Sequence, residues 1–335
     1  MDTLSLLPEA VIAQYDLGEI HAVDPQPGGG IDRSFIVTAA RGRHFFKRRS
    51  PAYTAEMVSC DHALIRFLTA HAFPTPALVP TRSGATWIEW EGRLYEAYAY
   101  VEAATSFAPG DLRQMASLGS TVARYHRLVA GYRPPRPKLP PWRDLPGFLN
   151  PGPTIAPQIA TLLARGRIGA PEVRFVREAV RQLAQQAERV KAETGLVFLT
   201  VHGALEPGNV LFDAAGEVAA WVDWADSAHF VRAYDVAHAL LKFAGRRPDA
   251  ILPGQVGPAL DWPGVERFAL AYRQQIKLTA PECALLPWLM LACRVVDALW
   301  IDETLPIDYR RELGLAQELQ AWLAHNAASL REVFS

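Results

Sequence analysis

The feature that most constrains this chain is a change of period near residue 102. Up to that point apolar and polar residues come in short strand-like runs punctuated by glycine or proline. Beyond it, apolar residues recur at helical spacing almost to the last residue. A stretch of hairpins followed by a stretch of helices reads as an α+β protein in two parts. In the first part, residues 1–20 suggest a helix or two. SFIVTAA and RHFFKRRS then flank a turn at Arg41 and Gly42. A helix is predicted over 54–71, ending where Pro74 and Pro76 forbid continuation. ATWIEWEG and RLYEAYAYVE follow around Gly92. The expectation is a sheet of four or five strands with one helix inserted after the third.

In the second part, helices are predicted over 112–128, 171–194, 265–277, 281–301 and 310–330, with Pro171 suited to a first helical position. The proline-rich stretch 134–153 reads as an extended surface connector. One β-rich interruption, at 197–201, 210–212 and 218–222, breaks the helical half.

With 34 Lys and Arg against 35 Asp and Glu, the chain has no basic excess that would ask for nucleic acid or an anionic membrane. Its three cysteines are scattered and lack any CxxC pairing, which fits a reducing cytoplasm better than a disulfide framework or a zinc site. The acidic, proline-containing start does not read as a signal peptide. The apolar stretch 285–301 is broken by Pro287, Arg294 and Asp297 and is too short to span a bilayer.

The interruption holds the chemistry-bearing residues. In VHGALEPGNVLFDAAGEVAAWVDWADSAHFVRAYDVAHALL, from Val201 to Leu241, His202, Glu206, Asn209, Asp223 and Asp226 punctuate short apolar strands. Polar groups emerging at the ends of buried strands are where a cleft can form. A turn at Ala215 and Gly216 is expected to carry the 202–209 loop toward Asp223. Asn209 and Asp223 then offer oxygens to a hard cation such as Mg2+.

The set His202-Gly203, Asn209, Val222-Asp223-Trp224 and Tyr234-Asp235-Val236-Ala237, in this order, resembles the signature of the aminoglycoside phosphotransferase and choline kinase-like superfamily. It is also similar to type II homoserine kinases and bacterial stress-response kinases. The resemblance spans roughly residues 20–310. It implies a protein-kinase-like two-lobed fold, with a small antiparallel-sheet N-lobe (1–102) that binds nucleotide and a large, mainly helical C-lobe (103–335). The C-lobe carries a catalytic loop at 201–213 and a metal-binding segment at 222–227. It further implies ATP and Mg2+, with Asn209 and Asp223 on the metal and His202 and Asp235 as structural supports. Lys47 would grip the phosphates, partnered by Asp61 or Glu56. The glycine cluster Gly28–Gly30 does not fit GxGxxG: either Gly29 and Gly30 cover the phosphates with backbone N–H groups, or the cluster is a plain loop before a strand. Tyr100 and Glu102 would lie at the adenine hinge, where Ala103 replaces the usual glycine.

A second position departs from the pattern, inside the 202–209 segment. Where relatives carry the aspartate that takes the attacking hydroxyl's proton, this chain has Ala204. Three explanations compete: an inactivating substitution, a natural nucleotide-binding pseudokinase, or Glu206 acting as the base. The acceptor would be a small hydroxylated metabolite (an amino alcohol, a hydroxy amino acid or a sugar) contacted by Asp226, Arg294 and Asp297, with Arg232, Asp302 and Glu303 nearby. A protein substrate is the alternative that the likeness to stress-response kinases leaves open.

Overall fold

The structure, a computed structural model, describes residues 7–26, 32–102, 104–135, 138, 144–247, 249–250, 255–299 and 307–335. The chain divides into two compact units. The first comprises Met1–Ala104, Arg133–Lys138 and Ala219–Ala225, and the second Thr105–Tyr132, Leu139–Val218 and Asp226–Ser335. The Asp223 segment, placed with the helical half on sequence grounds, therefore belongs to the first unit.

The first unit opens with a single turn, α1 (Glu9–Ile12), and is built on a five-stranded antiparallel sheet. Its strands are β1 (Ile20–Gln26), β2 (Arg33–Ala39), β3 (Gly42–Arg48), β4 (Trp87–Trp90) and β5 (Arg93–Ala99), in the order β1-β2-β3-β5-β4. The helix after the third strand, α2 (Ala55–Ala70), starts at Thr54, whose hydroxyl accepts the Met57 N–H at 3.2 Å. Strand alternation sorts the side chains. Phe35, Val37, Phe46, Tyr95 and Ala97 form a core with Val11, Ile12, Tyr15 and Leu17. Lys47, adjacent to Phe46, faces the opposite way and stands across from Glu96 in the β3–β5 register.

The second unit is mainly helical. Its helices are α3 (Leu112–Val129), α4 (Leu145–Phe148), α5 (Gly152–Ala164), α6 (Ala170–Val190), α7 (Ala233–Ala239), α8 (Trp262–Arg273), α9 (Ala280–Ala298) and α10 (Tyr309–Phe334). Helix α3 packs so closely on α8 that a Cβ at Gly119 would lie 2.3 Å from the Phe268 carbonyl oxygen. Short strands β6 (Phe198–Val201) and β9 (Ala228–Val231) pair antiparallel, and β7 (Val210–Phe212) leads toward β8 (Val218–Trp221), where the chain returns to the first unit. Strand β9 and helix α5 were not foreseen.

The 134–153 stretch is not simply an extended surface segment. Leu145, Phe148 and Leu149 are buried, and α4 and the start of α5 lie within it. Apolar residues between the prolines drive this, with Asp144 capping α4 through the Gly147 N–H at 2.7 Å. No helix among the described residues is long and apolar enough to cross a membrane.

Candidate active site

In the first unit Lys47 is almost wholly buried and makes two ion pairs, 2.8 Å to Asp223 Oδ1 and 3.1 Å to Asp32 Oδ2. Two residues on, the buried Arg49 guanidinium lies 2.8 Å from Glu96, 3.3 Å from Asp32 and 3.8 Å from Asp223, and stacks over the Tyr53 ring. Burial alone would raise the Glu96 carboxyl pKa, but Arg49 and His62 outweigh it and hold the pKa below its ordinary value. These cations are held in place by carboxylates, so none faces an apolar surrounding alone.

Asp223 adopts φ +61°, a left-handed conformation that costs a non-glycine residue about 1 kcal/mol or more. Its neighbours hold it there. The Trp221 N–H donates to Pro74 O at 2.8 Å, and Thr75 Oγ1 donates to Trp221 O at 3.0 Å. The Trp224 indole N–H donates to Thr75 Oγ1 at 2.9 Å. The Pro74–Thr75 turn that ends the region of α2 thus fixes both flanks of Asp223. Its side chain remains 39% exposed.

The expected lysine partners are corrected by this geometry. Asp61 is fully buried, but its carboxylate is taken by Lys138 at 2.9 Å and approached by Arg49 at 3.9 Å. Lys138 also donates to the Ala225 carbonyl. Glu56 is exposed in the first turn of α2. Lys47 is partnered instead by Asp32, which follows the glycine cluster, and by Asp223 itself. Tyr100 and Glu102, at the expected hinge, are both engaged by Arg43: its guanidinium sits 3.9 Å from the Tyr100 ring centroid and 3.1 Å from Glu102 Oε2. Gly29, Gly30, Ala103, Asp302 and Glu303 lie outside the described residues.

The second unit carries the 202–209 loop, shaped by backbone hydrogen bonds. The His202 and Gly203 N–H groups donate to the two oxygens of Asp235 at 2.9 and 3.1 Å. Asp235 is fully buried. Burial pushes its pKa up, but His126 and His202 outweigh this and hold it below the ordinary carboxylate value. Gly203 has φ +85°, and a Cβ there would stand 2.1 Å from the Asp226 carbonyl oxygen, so only glycine fits.

The Ala204 N–H donates to His202 Nδ1 at 3.3 Å, and the Asn209 side-chain amide donates to Ala204 O at 3.0 Å. Anchoring the amide nitrogen leaves the Asn209 carbonyl oxygen as its remaining polar atom. His202 is fully buried. Glu206 is half-buried, and its backbone carbonyl closes the loop by accepting the Asn209 N–H at 2.8 Å.

The acceptor candidates separate. Arg294 is fully buried and donates to Glu312 Oε2 at 3.0 Å and to Glu312 O at 2.8 Å, tying α9 to α10. That corrects its expected role: a guanidinium with no exposed surface is a packing group, not a substrate contact. Arg232 is likewise buried, in a forked pair with Glu282. Asp226 is exposed. Asp297 is 27% exposed and pairs with Lys242 at 2.6 Å.

Among the described residues no group of three or more His, Cys, Asp or Glu side chains is arranged to hold a metal by itself. The Asp223 carboxylate, in the first unit, and the Asn209 side-chain carbonyl, in the second, are each oxygen donors of the kind a hard divalent cation takes alongside phosphate oxygens.

The phosphotransferase enzyme family, APH, matches residues 23–271. The chain belongs to that family. It is a phosphotransferase enzyme on that ground, and the His202, Asn209, Asp223 and Asp235 motifs all fall inside the matched span. The chain is similar to the homoserine kinases of Paraburkholderia phytofirmans, 30% identical over 139 residues, and of Burkholderia cenocepacia, 30% identical over 148. These matches span about 40% of this chain and about 40% of those relatives.

A microcompartment-associated aminopropanol kinase shares the fold with a TM-score of 0.69 at 16% identity, covering 97% of both chains. The amicoumacin kinase hAmiN, solved with AMP-PNP, Ca2+ and Ami, gives 0.68 at 16% identity, covering 94% of this chain and 96% of its own. The two-part α+β architecture read from the sequence is thus that of known kinases.

Proposed function

We propose that this family member transfers the γ-phosphoryl group of ATP to the hydroxyl of a small metabolite, with the transfer step slowed by Ala204. The observation that carries the reading is the retained loop scaffold. Asp235, His202, Gly203 and Asn209 make the hydrogen bonds that shape 202–209, and the only chemical group missing from the pattern is a carboxylate at 204. Support for nucleotide comes from Lys47, a buried point charge of the kind that neutralises phosphates. Asp223 and Asn209 are the proposed protein ligands of Mg2+. When bound, that ion neutralises charge on the phosphates and aligns them for in-line attack.

In the transfer, the acceptor oxygen forms a bond to the γ-phosphorus as the bond to the ADP oxygen breaks, and the hydroxyl proton must leave. With Ala204 that proton has no side-chain acceptor at the position where relatives supply one, which costs about 10²–10⁴ in rate. Positioning and electrostatics, the larger part of phosphoryl-transfer catalysis, remain in place.

The second reading, a nucleotide-binding pseudokinase acting through a partner, is favoured by Ala204 itself. The two are separated by measuring phosphate transfer from ATP–Mg2+ by the chain and by Ala204→Asp, across amino alcohols, hydroxy amino acids and sugars. Turnover that appears or rises at least 100-fold in the aspartate form supports the kinase. Tight ATP binding by both forms with no transfer to any acceptor supports the pseudokinase.

A further inference from the structure

Between two long stretches of the second unit the chain enters the first for Arg133–Lys138. Lys138, at the end of that passage, has only 17% of its side chain exposed. Its ammonium donates to Asp61 Oδ1 at 2.9 Å and to the Ala225 carbonyl. Asp61 is fully buried on α2. A buried carboxylate needs a cation beside it, and an ion pair with Lys138 meets that need without any third group. The bond to Ala225 is an addition to the pair, and Ala225 lies two residues beyond Asp223.

A second donor meets the same carbonyl, the Tyr53 hydroxyl at 3.3 Å. Both lone pairs of the Ala225 oxygen are thus engaged. The Tyr53 ring is itself held, with the Arg49 guanidinium 4.8 Å and the Lys138 ammonium 6.0 Å from its centroid. The Pro74–Thr75 turn grips Trp221 and Trp224, and Lys138 with Tyr53 grips Ala225. Between these anchors Asp223 keeps its left-handed φ of +61°, a conformation that persists only when its surroundings over-determine it.

Resting on the phosphotransfer reading above, we propose that Lys138 is a positioning residue for the metal ligand Asp223, oriented by Asp61 and acting through the Ala225 carbonyl. The α2 acid that Lys47 does not use thereby reaches the metal site through a different lysine. Without Lys138 the far flank of Asp223 is free to relax from its strained backbone, and the carboxylate is no longer held in one orientation for an ion. The charge of Lys138 is already matched by Asp61, so its loss is felt through the metal and not as a missing phosphate contact.

The test measures the ATP dissociation constant of the full chain by calorimetry, once with excess Mg2+ and once with EDTA. The ratio of the two is the gain that the metal confers on nucleotide binding. Lys138→Met should cut that gain about 10-fold, while affinity in EDTA stays within about twofold. Lys138→Arg, whose forked guanidinium can serve both acceptors, should keep most of the gain. Tyr53→Phe should lower it about two- to threefold, through loss of one hydrogen bond. The losses in Asp61→Asn and Lys138→Met should not add, because both act through one ammonium. Thermal midpoints show that each variant is folded, and Tyr53→Phe carries the test if Lys138→Met is not.

A metal gain unchanged in folded Lys138→Met and in Tyr53→Phe, equal losses with Mg2+ and with EDTA, or losses in Asp61→Asn and Lys138→Met that add would each overturn the inference while leaving the phosphotransfer reading intact. A parent chain that binds no ATP, or binds it no better with Mg2+ than with EDTA, would overturn that reading and the inference with it.

Discussion

The two units hold their functional residues by different means. In the first, charge does the work: Lys47 and Arg49 lie buried among Asp32, Glu96, Asp61 and Asp223, and each side chain is fixed by an opposite charge. In the second, the 202–209 loop is fixed through main-chain groups, with Asp235 receiving two successive N–H groups and Ala204 contributing only its backbone. A substitution in the first cluster leaves a buried charge uncompensated. A substitution at 204 removes a side chain on which the loop does not depend. On the function proposed above, this contrast is how the chain could carry Ala204 in place of an aspartate and still keep the loop that would present one.

The sharpest way to break the contrast is to remove the acceptor of the loop's N–H groups. Asp235→Ala should cost about 3–5 kcal/mol in urea unfolding, because it strands buried donors and their charged neighbours. Asp235→Asn should cost less. On the other side, Lys47→Met should weaken ATP binding at least 10-fold by calorimetry, since it leaves Asp32 and Asp223 without their ammonium and removes a phosphate contact. An ATP affinity unchanged in Lys47→Met would take the first unit's cluster out of nucleotide binding.

Gly203→Ala sharpens the comparison at smaller scale. Its Cβ would press on the Asp226 carbonyl from a left-handed residue, and a loss of about 1–3 kcal/mol is expected in the same unfolding experiment.

The two units should also respond to acid with opposite sign. Burial, partly opposed by Lys138, pushes the Asp61 pKa up to about 6. The folded state therefore binds this proton more readily than the unfolded chain. That contribution to stability is present below about pH 4 and lost as pH rises through 6.

In the second unit burial, aided by Lys242, lowers His238 to about 4. Its contribution is present above about pH 6.5 and lost as pH falls through 4. Each effect is bounded by about 3 kcal/mol. Between pH 4 and 6, Asp61→Asn should remove a negative slope of stability against pH, and His238→Gln should remove a positive one.

Much of this was legible in the sequence because it is local. The turn residues, the Thr54 cap, the proline stop after α2 and the ordered 202–237 motifs are all readable from neighbours along the chain. What escaped depends on register and distance. Glu96 faces Lys47 only once β3 pairs with β5, and no spacing rule links residues 47 and 96. Lys138 sits in a proline-rich stretch that reads as linker, yet its side chain reaches Asp61 on α2.

Arg49 had a signal, being two residues from Lys47 and so on the same face of an extended strand. Arg294 was misjudged for the converse reason: an arginine in an apolar helix can serve a ligand or a neighbouring helix, and only the α10 carboxylate Glu312 decides between them.

The account's central claim is that nucleotide binding and the identity of residue 204 are separable. The most direct test is to measure, on matched samples, the ATP–Mg2+ dissociation constant and the turnover of the chain and of Ala204→Asp. The account predicts dissociation constants equal within about threefold and turnover at least 100-fold higher in the aspartate form. An affinity that changes as much as turnover would contradict it, because the loop scaffold would then depend on the side chain that this chain lacks.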